Sequence, residues 1–190
     1  MFEYVTLLLS FVYALALTHL LSSTADLLLA RDRVRFSGLQ ALWMTIALLN
    51  LLTNWISYWG LSAVKQWSVG EIAMQFTLAI IQYFTCSLVA PIPNPNGEID
   101  MPAFFARQRP VIFGAFLALL TFAMAENYID RNHMAGLSST AWIGEDILIL
   151  PMYAPVLIGW FAKPVWLQWA GGLAFLAVSA LFLGLYAVPG

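Results

Sequence analysis

Charge is what this chain has least of. Only 9% of its 190 residues are Asp, Glu, Lys or Arg, against about 25% in a typical soluble domain. The deficit excludes a soluble globular protein. Eight Lys and Arg against ten acids also leave no basic face for nucleic acid. Cysteine is nearly absent: Cys86 stands alone, so no disulfide can close within the chain. Histidine occurs only at His19 and His133, and paired haem ligation would need them to meet from quite different depths. Phosphate-cradling glycine loops, HExxH and CxxC are all missing. Lys65 and Lys163 fall in connecting segments, which leaves no embedded lysine for a retinal Schiff base. The identity of any cofactor is not legible, and none is predicted.

What is there is apolar sequence, 62% of the chain. A bilayer-spanning helix needs about 20 such residues, and six segments qualify, at roughly 5–30, 39–61, 72–90, 111–128, 142–161 and 165–188. The expected fold is an all-α, polytopic membrane helical bundle forming a single transmembrane domain. The first span follows Met-Phe-Glu-Tyr, with no basic n-region. It runs into Arg31-Asp32-Arg33 without a small-residue cleavage site, so it reads as a retained helix and not a signal peptide. The fifth contains Pro151 and Pro155, which predict a kink. In the 91–110 connection, "PIPNPNGEID" cannot be helix. "PAFFARQRP" suits a short segment on the membrane surface, or an ordinary cytoplasmic loop.

Basic residues orient the chain. Arg31, Arg33, Arg35, Arg107, Arg109 and Lys163 fall on one side, Lys65 and Arg131 on the other. The richer side is expected to be cytoplasmic, with both termini on the outer side. Trp43, Trp160, Trp166 and Trp169 are then expected at the inner interface, and Trp59, Trp67 and Trp142 at the outer one. The chain divides into two halves of three helices, but the echo of "YWGLSAVKQW" in "GWFAKPVWLQW" is too slight to define a repeat. Gly171 and Gly172 give the last helix a small-residue face for close packing, inside the protomer or between protomers.

Polar residues inside the spans are the candidate functional groups. His19 lies near the middle of the first span, with Asp26 seven residues on and Ser22 and Ser23 beside that line. Asp26 is expected to pair with Arg31 or Arg33 at the interface. The second span carries Asn50, Thr53, Asn54 and Ser57 at helical spacing, and the third carries Gln75 and Gln82, with Thr85 below. Tyr153 and Thr121 lie at similar depth. One reading is a polar seam between the first three helices, serving as a path for a small solute or ion, with His19 changing protonation. The other is interhelical hydrogen bonding, typically about 0.6 kcal/mol per contact. A second cluster lies at the opposite end. Glu126, Asp130 and His133 are spaced i, i+4 and i+7, with Glu145 and Asp146 opening the next span. Such a set would form an acidic vestibule or a divalent-metal site, against the plainer reading of a solvated polar loop.

"FEYVTLLLSFVYALALTHLL", "RDRVRFSGLQALW", "NWISYWGL", "WSVGEIAMQF", "APIPNP" and "RQRPVIFGAFLALL" together resemble a group of small bacterial polytopic integral membrane proteins of unknown function. The resemblance covers roughly residues 1–120. It implies the helical membrane fold and a bacterial cytoplasmic (inner) membrane, and it carries over no site residue. Three functions stay open: a small channel or transporter, a non-catalytic subunit or scaffold of a larger membrane complex, and a membrane enzyme or sensor using the acidic cluster. The lipid bilayer is the expected partner, with homo-oligomer or larger assembly both open.

Overall fold

The computed structural model describes residues 2–58, 67–91, 98–133 and 141–185, and of these the side chains of all but 2, 129–133, 141–146, 148 and 185. Among these described residues six helices run in order: α1 (Phe2–Leu29), α2 (Gly38–Ser57), α3 (Val69–Val89), α4 (Met101–His133), α5 (Ala141–Phe161) and α6 (Val165–Leu185). Five are long and apolar enough to cross a membrane; in α5 the described apolar stretch is Ile149–Phe161. The helix starts are chemically marked. The Ser37 side chain accepts from the Gln40 amide at 3.3 Å to cap α2. Ser68 and Glu71 form a reciprocal capping box on α3, with bonds of 2.6 and 3.2 Å.

α4 begins at Met101, not near 111 as expected. "PAFFARQRP" is therefore neither a separate surface segment nor a loop, and the connection ends at residue 100. The Asp100 carboxylate accepts from the Ala103 amide at 2.9 Å and closes the first turn. Pro102 sits in that turn, where no amide donor is needed. Pro110 is carried inside the helix. Pro151 and Pro155 likewise lie within a single α5.

α1 packs on α3, α3 on α4, α4 on α5, α5 on α6 and α6 on α2, with α2 also touching α1 and α3. Helices α1, α2 and α3 thus all meet. α1 touches α3 closely, whereas α4 and α6 are not neighbours in the same way among the described residues. The two halves of the chain are therefore not packed alike. At the core, Trp43 is fully buried, with ring centroids 4.7 Å from Phe113, 5.1 Å from Phe116 and 5.8 Å from Phe175. The expectation of Trp43 at a lipid interface is overturned: it fills the junction of α2, α4 and α6. Trp166 does remain exposed. Gly171 faces Ile158 and the Pro155 carbonyl, and Gly172 faces Leu42, so the small-residue face of α6 is used within the protomer.

One end of the bundle is latched by polar contacts. Two-residue strands β1 (Val34–Arg35) and β2 (Ile99–Asp100) pair in parallel, Val34 opposite Ile99. An Arg35–Asp100 ion pair at 3.1 Å closes this clip. Arg109 Nε donates to the Gly159 carbonyl at 2.6 Å and Nη2 to that of Ala162. Gln168 adds a bond to the Ala162 carbonyl at 3.0 Å. Together they satisfy the exposed carbonyls ending α5 and complement its negative dipole end.

A Cβ on Gly159 would collide with the ring of Phe113, which is itself enclosed, so Gly159→Ala should lower thermal stability in detergent, costing about 1–3 kcal/mol. Gly184→Ala, with nothing within 4 Å, should leave the melting temperature unchanged. The Ala103 amide, with help from Arg35, holds the Asp100 carboxyl below its ordinary range. A depressed folded value means that the contribution is present above the unfolded carboxylate pKa and fades as pH falls through the folded one. Melting curves of Asp100→Asn should therefore lie below wild type at neutral pH and converge with it in acid.

Candidate functional site

The buried faces of α3 and α4 carry polar groups inward by simple periodicity. On α3 the enclosed residues are Gln75, Leu78, Ala79, Gln82, Thr85, Cys86 and Val89, a three-four alternation. On α4, Glu126 falls seven residues after buried Leu119, on the same face. Glu126 is 9% exposed and Gln75 2% exposed. They meet directly, Gln75 Nε2 donating to Glu126 Oε1. The amide oxygen, Gln75 Oε1, is buried and has no hydrogen-bond partner among the described residues.

Two buried tyrosines meet each other between α1 and α2. Tyr13 on α1 and Tyr58 at the end of α2 are 4% and 3% exposed. Their hydroxyls are 3.1 Å apart, and the rings meet edge to face at 5.6 Å. The Glu126 carboxyl lies within electrostatic reach of both hydroxyls. Four helices thus bring one carboxyl, one amide and two phenols to the same end of the bundle, opposite the arginine latch. The set can accept, hold and pass a proton, or gather oxygens around a small cation.

The expected seam residues are distributed over several separate contacts. Asn54 Nδ2 donates to Gln82 Oε1 at 2.8 Å, and Gln82 Nε2 donates to the Ala47 carbonyl at 3.4 Å. Asn50 and Thr53 bond back to their own helix, at the Ile46 and Leu49 carbonyls. Ser23 is buried and donates to the Pro91 carbonyl at 2.7 Å, tying α1 to the end of α3. Ser22 and Asp26 are exposed, and Arg31 approaches Asp32, at 3.9 Å, in place of Asp26. Tyr153 donates to Thr121 at 3.2 Å, in a contact of its own between α5 and α4. His19 is half-buried at the edge of the α1 face and has no hydrogen bond to Asn50, Gln82 or any other described residue.

Of the acidic cluster, Glu126 is described. The side chains of Asp130, His133, Glu145 and Asp146 lie outside the described residues. Among the described residues no three His, Cys, Asp or Glu side chains come together as a metal-ligand set. Tyr13 and Tyr58 were not among the expected site residues. The signal was present in the spacing of Tyr13 with Leu9, Ala16 and Leu20 on one heptad-like face.

The Asn54–Gln82 contact has a defined test. Asn54→Leu and Gln82→Leu should each lower stability in detergent. The double variant should recover a coupling of about 0.6 kcal/mol and no more than about 2 kcal/mol, read from a double-mutant cycle of melting curves. No protein-family model, curated protein sequence or solved structure matches the chain.

Proposed function

We propose that this chain is a small integral membrane protein that passes protons or a small cation across the membrane, with Glu126 as the exchange site. One observation carries the reading: a carboxyl buried inside an apolar helical bundle and hydrogen-bonded to the buried Gln75 amide. Glu126 lies near the end of the apolar stretch Met101–Tyr128, and an ionisable group enclosed in a membrane bundle is costly and marks an ion pathway or proton relay. The Gln75 oxygen, without a partner among the described residues, can accept a hydrogen bond from a protonated carboxyl or ligate a cation. The Lys and Arg distribution supports a cytoplasmic arginine latch, with both termini and Glu126 on the outer side, and the reading takes the membrane to be a bacterial inner membrane. In this reading Glu126 takes the role that midplane depth first assigned to His19.

A second reading, a non-catalytic subunit or scaffold, is favoured by a different observation. Asn54 and Gln82 spend hydrogen bonds between α2 and α3, as interhelical glue would, and Asn50 and Thr53 bond back onto α2.

Purified protein in liposomes should give a pH-gradient-dependent flux, read with an entrapped pH dye. Glu126→Gln should remove most of it, and Gln75→Leu should reduce it. Undiminished flux in Glu126→Gln, or no flux of protons or monovalent cations in wild type, would sink the proposal. Recovery of the chain with a stoichiometric partner after gentle solubilisation, and no flux alone, is the outcome expected of a subunit.

A further inference from the structure

Between α1 and α2, at the arginine end, a lateral recess of about 310 Å³ opens in the side of the bundle. Its walls are apolar, formed by residues such as Leu20, Leu27, Met44 and Leu48. Two hydroxyls also line it, but both are turned onto their own helices. Thr24 bonds the Leu20 carbonyl at 2.8 Å and Thr45 the Ala41 carbonyl at 3.0 Å. Neither asks for a polar ligand. The recess therefore offers hydrocarbon contact along its length and one cation, Arg31. The Arg31 side chain is 83% exposed, and Asp32 approaches it only at 3.9 Å, in a geometry worth little at a surface. An apolar slot that ends in an under-used guanidinium has the polarity of an anionic amphiphile. Its lateral opening suits a ligand that arrives from the bilayer and not from water.

We propose that this recess holds one acyl chain of an anionic phospholipid, with the lipid phosphate on the Arg31 guanidinium. The guanidinium presents paired N–H donors that match phosphate oxygens. The proposal rests on the membrane setting of the chain and is independent of any role for Glu126, which lies at the opposite end. Arg35 is committed to Asp100 and does not compete for the headgroup. The site would tie the α1–α2 seam to the charge of the surrounding leaflet.

The test is native mass spectrometry of the purified full chain in detergent, titrated with phosphatidylglycerol or with phosphatidylcholine of the same acyl chains. Wild type should retain phosphatidylglycerol in preference. Arg31→Gln should lower that retention about fivefold, the effect of about one basic side chain on an anionic headgroup. Arg107→Gln, an exposed arginine outside the recess, should leave it unchanged. Thr45→Trp, which fills the recess from an exposed position, should reduce retention of both lipids. Equal retention of the two lipids by wild type, equal losses in Arg31→Gln and Arg107→Gln, or full retention in Thr45→Trp would each overturn the proposal. The first two outcomes would mean non-specific charge or detergent-like coating, and the third a lipid seated elsewhere.

Discussion

The outward faces of these helices are apolar, and that leaves the inner faces as the place where polar side chains must find partners. Leu7, Leu8, Phe11 and Leu15 on α1, Ile80 and Phe84 on α3, and Leu173 and Leu181 on α6 all point away from the bundle. In a medium without water, a polar group on such a surface would go unsatisfied. The consequence runs through the whole structure. Hydroxyls bond back to the preceding turn, as Thr24, Thr45, Thr53, Thr77, Thr85 and Thr121 all do. Amides reach across to another helix, as Asn54 does to Gln82 and Gln40 to the Val89 carbonyl. The arginine end closes with a guanidinium on the last carbonyls of α5. Glu126 is the one enclosed carboxyl among the described residues, and it is held by the same rule, through Gln75.

This economy separates stability from function. Trp43 and the phenylalanines around it are held by area and shape, so they fix how α2, α4 and α6 meet. The polar contacts add little net free energy each, because a hydrogen bond between helices only replaces one found elsewhere. What they add is position. A buried carboxyl with a fixed partner is held in one geometry, whereas an exposed one would be solvated, and that is what the proposed exchange site requires. In the lateral recess Thr24 and Thr45 turn their hydroxyls onto their own helices, and a largely apolar wall results, with Arg31 as its one cation.

Much of the fold was legible, because six long apolar runs leave few alternatives. α2, α3, α5 and α6 begin or end within a few residues of their expected limits. α4 starts earlier than expected because "PAFFARQRP", with its arginines, reads as a surface segment or loop, whereas the Asp100 cap and a first-turn Pro102 are compatible with a helix start. Trp43 was placed at an interface because tryptophan is common there; composition cannot say which of two helix faces turns inward. The β1–β2 clip joins residues 65 apart in sequence and left no local pattern to read. The candidate site was half legible. Gln75 and Glu126 were both singled out, but in different clusters. Their meeting depends on α3 lying against α4, and nothing in either segment reveals that neighbour. His19 drew notice by depth alone, and depth does not decide whether a side chain faces a partner.

Infrared difference spectroscopy of the protein in lipid bilayers, recorded across a pH titration, tests the central claim most directly. If Glu126 exchanges a proton inside the bundle, a carboxylic-acid C=O band should appear and disappear with pH in wild type. It should be missing in Glu126→Gln and shifted in Gln75→Leu. Identical pH-dependent spectra in wild type and Glu126→Gln would contradict it, and would leave Glu126 as a structural tie between α3 and α4.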